Sequence, residues 1–224
     1  MFKELFHVVD KQGEIVPFVF NPAQVDIYSK LSGRDIILKA RQLGFSTLVA
    51  AEFLLDAITI PNLRVLVIVQ NEDAIPKFSL PIHNEVGTGL YDLLPEHIEV
   101  GGVKIKFRPD IVTDNISTLA FDNGSIINVI TSGGTKLGRG QTVHRAHMTE
   151  VGFWDKDVAD TVWAAVEGAM PPLGSKLIVE STAFGQQGKF FKEWKRAVNG
   201  ESLFTPHFYN WPWAPEYRLN VTDL

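Results

Sequence analysis

Apolar residues along the chain fall into short unbroken runs separated by longer amphipathic ones. Within residues 35–38, 63–70 and 176–180 the runs have strand length and are rich in Ile, Val and Leu. Continuous rather than alternating hydrophobicity predicts strands covered on both faces, as in a parallel sheet. Between them, residues 48–58 have helical length and composition. Residues 157–170 carry apolar Val158, Val162, Trp163 and Val166 at helical spacing, with Asp157 and Asp160 near the positive end of that helix. Pro171-Pro172-Leu173-Gly174 stops it. A further helix is expected over 190–197. Strands alternating with helices predict an α/β fold, a mainly parallel central sheet flanked by helices.

Other stretches read differently. Residues 98–107 alternate about Gly101-Gly102, and residues 118–130 flank Asn123-Gly124, a dipeptide suited to a type I′ turn. These two hairpins predict an antiparallel region at one edge of the sheet. Residues 25–31 are expected to make one or two helical turns, and residues 71–95 a polar start, a helix containing Pro76 and Pro81, and an exit around Gly87-Thr88-Gly89. Residues 143–154 are apolar only in their last part, so His144, Arg145 and His147 are expected at half-exposed strand positions. From Thr205 the chain is aromatic and proline-rich with little regular pattern. The expected division is a lead-in over 1–34, a core over 35–200 and a tail or linker over 201–224.

Composition narrows the classes. With 224 residues and 45% hydrophobic content the chain can bury one substantial core. It has no cysteine, which excludes disulfides and thiolate metal sites and is compatible with a reducing cytoplasm. The N-terminus does not read as a secretory signal, and no window is long and apolar enough to span a bilayer, so a soluble protein without membrane contact is expected. A formal net charge of −5 argues against coating nucleic acid by bulk electrostatics. Basic clusters at 104–108 and 189–196 remain available for local contacts.

Candidate chemistry centres on Lys39-Ala40-Arg41-Gln42-Leu43-Gly44-Phe45-Ser46-Thr47, between a predicted strand and a predicted helix. That is the context of a phosphate-binding loop, whose backbone N–H groups and helix N-terminus cradle phosphates while a hydroxyl binds Mg²⁺. Gly44 and Ser46 hold the last glycine and hydroxyl positions. Phe45 occupies the lysine position, so the positive charge has to come from Lys39 or Arg41. An ordinary turn with an N-cap fits the same residues. Thr149-Glu150 and Ser181-Thr182 also fall at the ends of presumed parallel strands, where ligands of open α/β sheets bind. A glutamine upstream of such a loop, Gln24, offers a donor and an acceptor to an adenine edge, and a surface glutamine on a short helix fits the same residue.

Several segments together resemble the large terminase subunits that power DNA packaging in tailed bacteriophages. They are Phe20-Asn21-Pro22-Ala23-Gln24, the 39–47 loop, Phe121 with Asn123-Gly124-Ser125, Gly138-Arg139-Gly140-Gln141-Thr142, His147 through Trp154, and Glu180 through Gly185 ahead of Phe190-Phe191-Lys192-Glu193-Trp194. The resemblance implies an ASCE, RecA-like P-loop NTPase with ATP and Mg²⁺ as cofactors. It implies that Gln24 contacts adenine, that Lys39, Arg41, Gln42, Gly44, Phe45, Ser46 and Thr47 form the nucleotide loop, and that Ser46, Thr149 and Glu150 hold the metal. Glu150 would align water for attack, Arg41 would serve the γ-phosphate, Arg139 would be offered to a neighbouring subunit's ATP, and Ser181 with Thr182 would couple hydrolysis to motion. The implied partners are double-stranded viral DNA, a portal protein, a small terminase subunit and further copies of the chain in a ring, in the host cytoplasm.

Two departures stand out. Thr149 stands where most such ATPases place an aspartate. The family's C-terminal nuclease domain, with its acidic two-metal cluster, is not represented, so nuclease activity is not expected. Two rivals follow from the residues: a superfamily 2 helicase-like ATPase, which would need a second lobe and a Gly-Lys-[ST] loop, and a non-enzymatic scaffold or DNA-binding module with a degenerate loop.

Overall fold

The computed structural model describes residues 2–134 and 142–214. In chain order it runs α1 (Phe2–Leu5), β1 (His7–Val9), β2 (Ile15–Pro17), α2 (Pro22–Lys30), β3 (Arg34–Lys39), α3 (Phe45–Thr59), β4 (Arg64–Val69) and α4 (Ile75–Ser79). Next come β5 (His97–Val100), β6 (Val103–Lys106), β7 (Ile111–Asn115), β8 (Thr118–Phe121), β9 (Ile126–Thr131) and β10 (Arg145–Thr149). α5 (Lys156–Ala169), β11 (Lys176–Ser181), α6 (Gly188–Val198) and β12 (Thr205–Tyr209) complete it.

Among the described residues, eight strands form one sheet in the order β12-β3-β11-β10-β4-β9-β8-β7. From β12 to β9 every pairing is parallel, and β8 and β7 extend the sheet antiparallel. Neighbouring residues on the central strands face opposite ways. Ile37, Val65 and Ile178 pack under α2 and α3 with Phe45, Leu48, Phe53 and Leu54, while Ile36, Leu66 and Leu177 pack under α5 and α6 with Val162, Trp163 and Phe190. Both faces are covered, so the strands have to be apolar throughout. On α5 the buried residues Ala159, Val162, Trp163 and Val166 share one helical face.

The structure corrects several expectations. β10 is buried along its whole length, with Arg145 and His147 only 6% and 1% exposed, because it lies between β11 and β4 in mid-sheet. Its polar side chains turn inward: Arg145 Nε reaches Asp56 Oδ2 at 2.5 Å, and His147 Nε2 lies 3.2 Å from Glu180 Oε1. Residues 205–209 form a strand, parallel to β3, so the sheet continues past residue 200. The antiparallel region is divided. β7 and β8 belong to the main sheet, but β5 and β6 form a separate hairpin, whose Gly101 and Gly102 take positive φ of 59° and 80°. The 122–125 turn is not type I′, which needs positive φ at both central residues. Gly124 has φ 83° but Asn123 is not among the positive-φ residues, and its side chain instead accepts from Ser125 N and donates to Ala57 O. The helix expected around Pro76 and Pro81 is the five-residue α4, which holds Pro76 and ends at Ser79, ahead of Pro81.

Trp163 anchors the α5 layer. It is 1% exposed, meets Phe204 edge-on at 5.3 Å, and donates from Nε1 to Glu167. Trp163→Ala should therefore lower the unfolding free energy by about 3–5 kcal/mol in urea titration. Leu203→Ala, at a position 90% exposed, should change it by no more than about 0.5 kcal/mol. Equal effects would contradict this packing.

Candidate nucleotide-binding site

Because β3, β10 and β11 are parallel and adjacent in the sheet, their last residues share one edge. Lys39 closes β3, Thr149 closes β10 and Ser181 closes β11. The turn after β3 leads into α3, whose first turn leaves backbone N–H groups without intrahelical partners and carries the helix's positive end. Gly44 makes that turn possible. Its φ is 71°, and a Cβ there would stand 2.7 Å from Gln24 Nε2.

The loop is held from behind by the Asn21–Gln24 segment. Asn21 and Gln24 form a reciprocal capping box on α2. The same two side chains then reach forward, Asn21 Nδ2 donating to Leu43 O at 3.1 Å and Gln24 Nε2 to Gly44 O at 2.8 Å. Gln24 is 3% exposed and fastens the loop's backbone. It also lines, with Val8, Phe18, Gly44, Thr47 and Leu90, a largely apolar cavity of about 690 Å³ beside the start of α3.

Phe45 turns away from the loop mouth. Its ring is 1% exposed and meets Tyr209 edge-on at 4.8 Å, so at the usual lysine position only the backbone faces the loop. The two candidate cations are placed differently. Arg41 is exposed, as is Gln42, which takes φ 60°. The Lys39 side chain is only 8% exposed, its Nζ lying 3.4 Å from Glu150 Oε1 and 3.9 Å from Glu180 Oε2. Burial alone would lower the pKa of Lys39, but the neighbouring Glu180 and Glu150 carboxylates outweigh it and hold the ammonium above the ordinary lysine value.

Glu150 follows β10 with φ 51° and ψ 38°, a left-handed backbone that is uncommon for a residue with a side chain. Its Oε2 accepts from both the N–H and the hydroxyl of Thr182, each at 3.1 Å. Ser181 joins the same strand ends. Its Oγ accepts from Gly152 N at 3.0 Å, and a Cβ on Gly152 would come within 2.7 Å of that oxygen. The two segments marked at sequence level, 149–150 and 181–182, are thus in direct contact. Arg139 lies outside the described residues.

Sequence reasoning did not select Glu180 as a site residue. It is wholly buried, and its Oε1 accepts from Ser46 Oγ at 2.6 Å. Burial alone would raise its pKa. The Lys39 charge, with His147 and the Ser46 hydroxyl, more than reverses this and holds it at about 2. Glu180 is therefore ionised at neutral pH. A carboxylate ending a buried apolar run just before Ser181-Thr182 was the available signal, and it read as a strand boundary.

The residues present suit Mg²⁺ carried on a nucleotide. Ser46 stands at the helix start, and Glu180 Oε2 is a buried carboxylate oxygen without a hydrogen-bond partner. Among the described residues no three His, Cys, Asp or Glu side chains are grouped to hold a metal by themselves. Mg²⁺ at phosphate sites needs only one or two protein ligands besides the phosphates.

No protein-family model matches the sequence, and no curated protein matches it. Solved structures do match. The large terminase ATPase domain of Thermus phage P74-26 superposes with a TM-score of 0.61 at 16% identity, covering 87% of this chain and 82% of that one. The large terminase of bacteriophage HK97 gives 0.61 at 19% identity over 93% of this chain and 42% of its own length. The large terminase of a thermophilic bacteriophage, solved in complex with ADP, gives 0.58 at 11% identity over 91% of this chain and 48% of its own. The chain spans less than half of the last two proteins. At these identities the likeness is one of fold: the chain has the P-loop NTPase fold, in the form found in large terminase ATPase domains.

Proposed function

We propose that this chain is an Mg²⁺-dependent ATPase that powers translocation of double-stranded DNA during phage genome packaging. The observation that carries the reading is the cluster of Lys39, Ser46, Glu150 and Glu180 around the N-terminus of α3, at the carboxyl ends of three adjacent parallel strands. Such an arrangement binds phosphate through backbone N–H groups and a helix dipole, and sets a carboxylate where an attacking water would stand. The packaging role rests on the motif resemblance and on the shared fold.

In this reading the triphosphate lies on the 40–46 loop, with Gly44 to Thr47 donating backbone N–H groups. The 690 Å³ cavity that Gln24 lines receives the adenine, while the Gln24 amide stays on Asn21 N and Gly44 O. Ser46 would hold an Mg²⁺ ion, which when bound would supply positive charge against the phosphates. Glu150 orients a water whose oxygen bonds to the γ-phosphorus as the bond to the β–γ bridging oxygen breaks, giving ADP and phosphate. The carboxylate attracts the water's proton. Glu150 is tied to Thr182, so a change in its hydrogen bonding is passed to the end of β11. Arg139 of one subunit completes the site of the next in a ring around DNA. A portal protein and a small terminase subunit are the further partners, and the host cytoplasm the setting. Exposed Lys192, Lys195 and Arg196 on α6 are available for phosphate contacts with DNA, although Arg196 also pairs with Glu193.

Three outcomes test this. Glu150→Ala should abolish phosphate release while ATP remains bound in an equilibrium titration, and wild-type turnover would remove Glu150 from its role. For the relocated charge, ATP affinity should fall roughly 10- to 100-fold in whichever of Lys39→Ala and Arg41→Ala removes the γ-phosphate contact, with a smaller effect on ADP. Unchanged ATP affinity in both would refute a relocated cation. Arg139→Ala should retain nucleotide binding and lose turnover only where subunits assemble on a portal, so a loss in the isolated chain would contradict a contribution between subunits.

A further inference from the structure

The site has an unexplained carboxylate and an unexplained hydroxyl, and they face each other across one register position. Phosphate-loop NTPases hold Mg²⁺ between the loop hydroxyl and an acidic residue at the end of a neighbouring strand. In this chain the residue before Glu150 is Thr149, which brings no charge. Thr149 pairs directly with Glu180 across β10 and β11. β11 lies between β10 and β3, one strand spacing, about 4.8 Å, nearer the loop strand. A side chain at 180 therefore starts closer to Ser46 than one at 149.

Glu180 uses that position. Its Oε1 accepts a hydrogen bond from the Ser46 hydroxyl at 2.6 Å, which turns the hydroxyl's lone pairs away from β11. Its Oε2 is buried with no hydrogen-bond partner, and the Lys39 ammonium lies 3.9 Å away. An unanswered oxygen on a buried carboxylate is costly and is retained where something else meets it. Around it, the carboxylates of Glu150 and Glu180 share the Lys39 ammonium, and His147 Nε2 lies 3.2 Å from Glu180 Oε1, which leaves Oε2 as the unanswered oxygen.

We propose that Glu180 supplies from β11 the carboxylate of the Mg²⁺ site that Thr149 does not supply from β10, acting on Ser46 and on the ion's hydration shell. This deepens the ATPase reading and rests on it. The main competing account is that Glu180 only fastens Ser46 and Lys39 in the apo fold. That account predicts lost stability with an unchanged response to Mg²⁺.

The experiment compares the affinity of the whole chain for ATPγS in MgCl₂ and in EDTA, and takes the ratio. Glu180→Gln should reduce the ratio by at least about tenfold, the usual scale for partners that orient metal ligands. Adding Thr149→Asp to Glu180→Gln should restore most of it, since the carboxylate is then returned across the same register position. A wild-type ratio in Glu180→Gln, or a loss that Thr149→Asp does not recover, overturns the proposal. If Glu180→Gln does not fold, Glu180→Asp carries the test. It keeps the charge but withdraws it by one methylene, and should lower the ratio, whereas an unchanged ratio overturns the proposal. Failure of the unsubstituted chain to bind ATPγS in either buffer would instead refute the ATPase reading, and this proposal with it.

Discussion

Everything at the carboxyl edge of the sheet depends on one ammonium group held between two carboxylates. Lys39 lies 3.4 Å from Glu150 and 3.9 Å from Glu180, largely out of water. A wholly buried glutamate is stable as an anion only where a nearby charge offsets its lost hydration. Lys39 can act there because β3 and β11 are neighbours and β10 follows immediately, which puts the ends of all three strands within side-chain reach. The strand order and the charge cluster are therefore one design: with β10 beside β3, Glu180 would have nowhere to act.

How much of this was legible depended on whether a segment's chemistry was local. The runs at 35–38, 63–70 and 176–180 announced β3, β4 and β11 because strands covered on both faces have to be apolar, and α5 announced itself by spacing. β10 was obscured because its buried polar side chains find partners on α3 and β11, Arg145 pairing with Asp56 and His147 lying beside Glu180, more than thirty residues away in each direction. β12 was hidden by Pro206 and by alternation interrupted with polar residues, which an edge strand tolerates. In the site, the loop and Glu150 were marked by type and position. Glu180 was not, since its place opposite Thr149 and against Ser46 appears only once the strand register is known. Nor could the sequence separate Lys39 from Arg41, because burial of one and exposure of the other is decided by strand neighbours.

The backbone at Glu150 carries information of its own. A left-handed conformation in a residue with a side chain costs on the order of 1–3 kcal/mol and persists only where surrounding contacts over-determine it. Here those contacts are the Thr182 pair and Gly152 against Ser181. The conformation ends β10 abruptly and brings the carboxylate to Lys39 and Thr182. Gly152 keeps the following turn pressed on β11, where any side chain would force the two segments apart.

Tyr209 at the far edge gives the loop a second dependence. Its carbonyl accepts from Ala40 N at 2.7 Å, its ring meets both Phe45 and Trp213, and its hydroxyl donates to Asp26 on α2. One residue of the outermost strand thus clasps the start of the loop, the first residue of α3 and the helix behind them. Edge strands are among the first parts of a sheet to open locally. Each opening of β12 strips the loop of its backbone partner and α3 of its first aromatic contact together. Closure of the sheet edge therefore adds to the hold that Asn21 and Gln24 keep on the same loop from the other side.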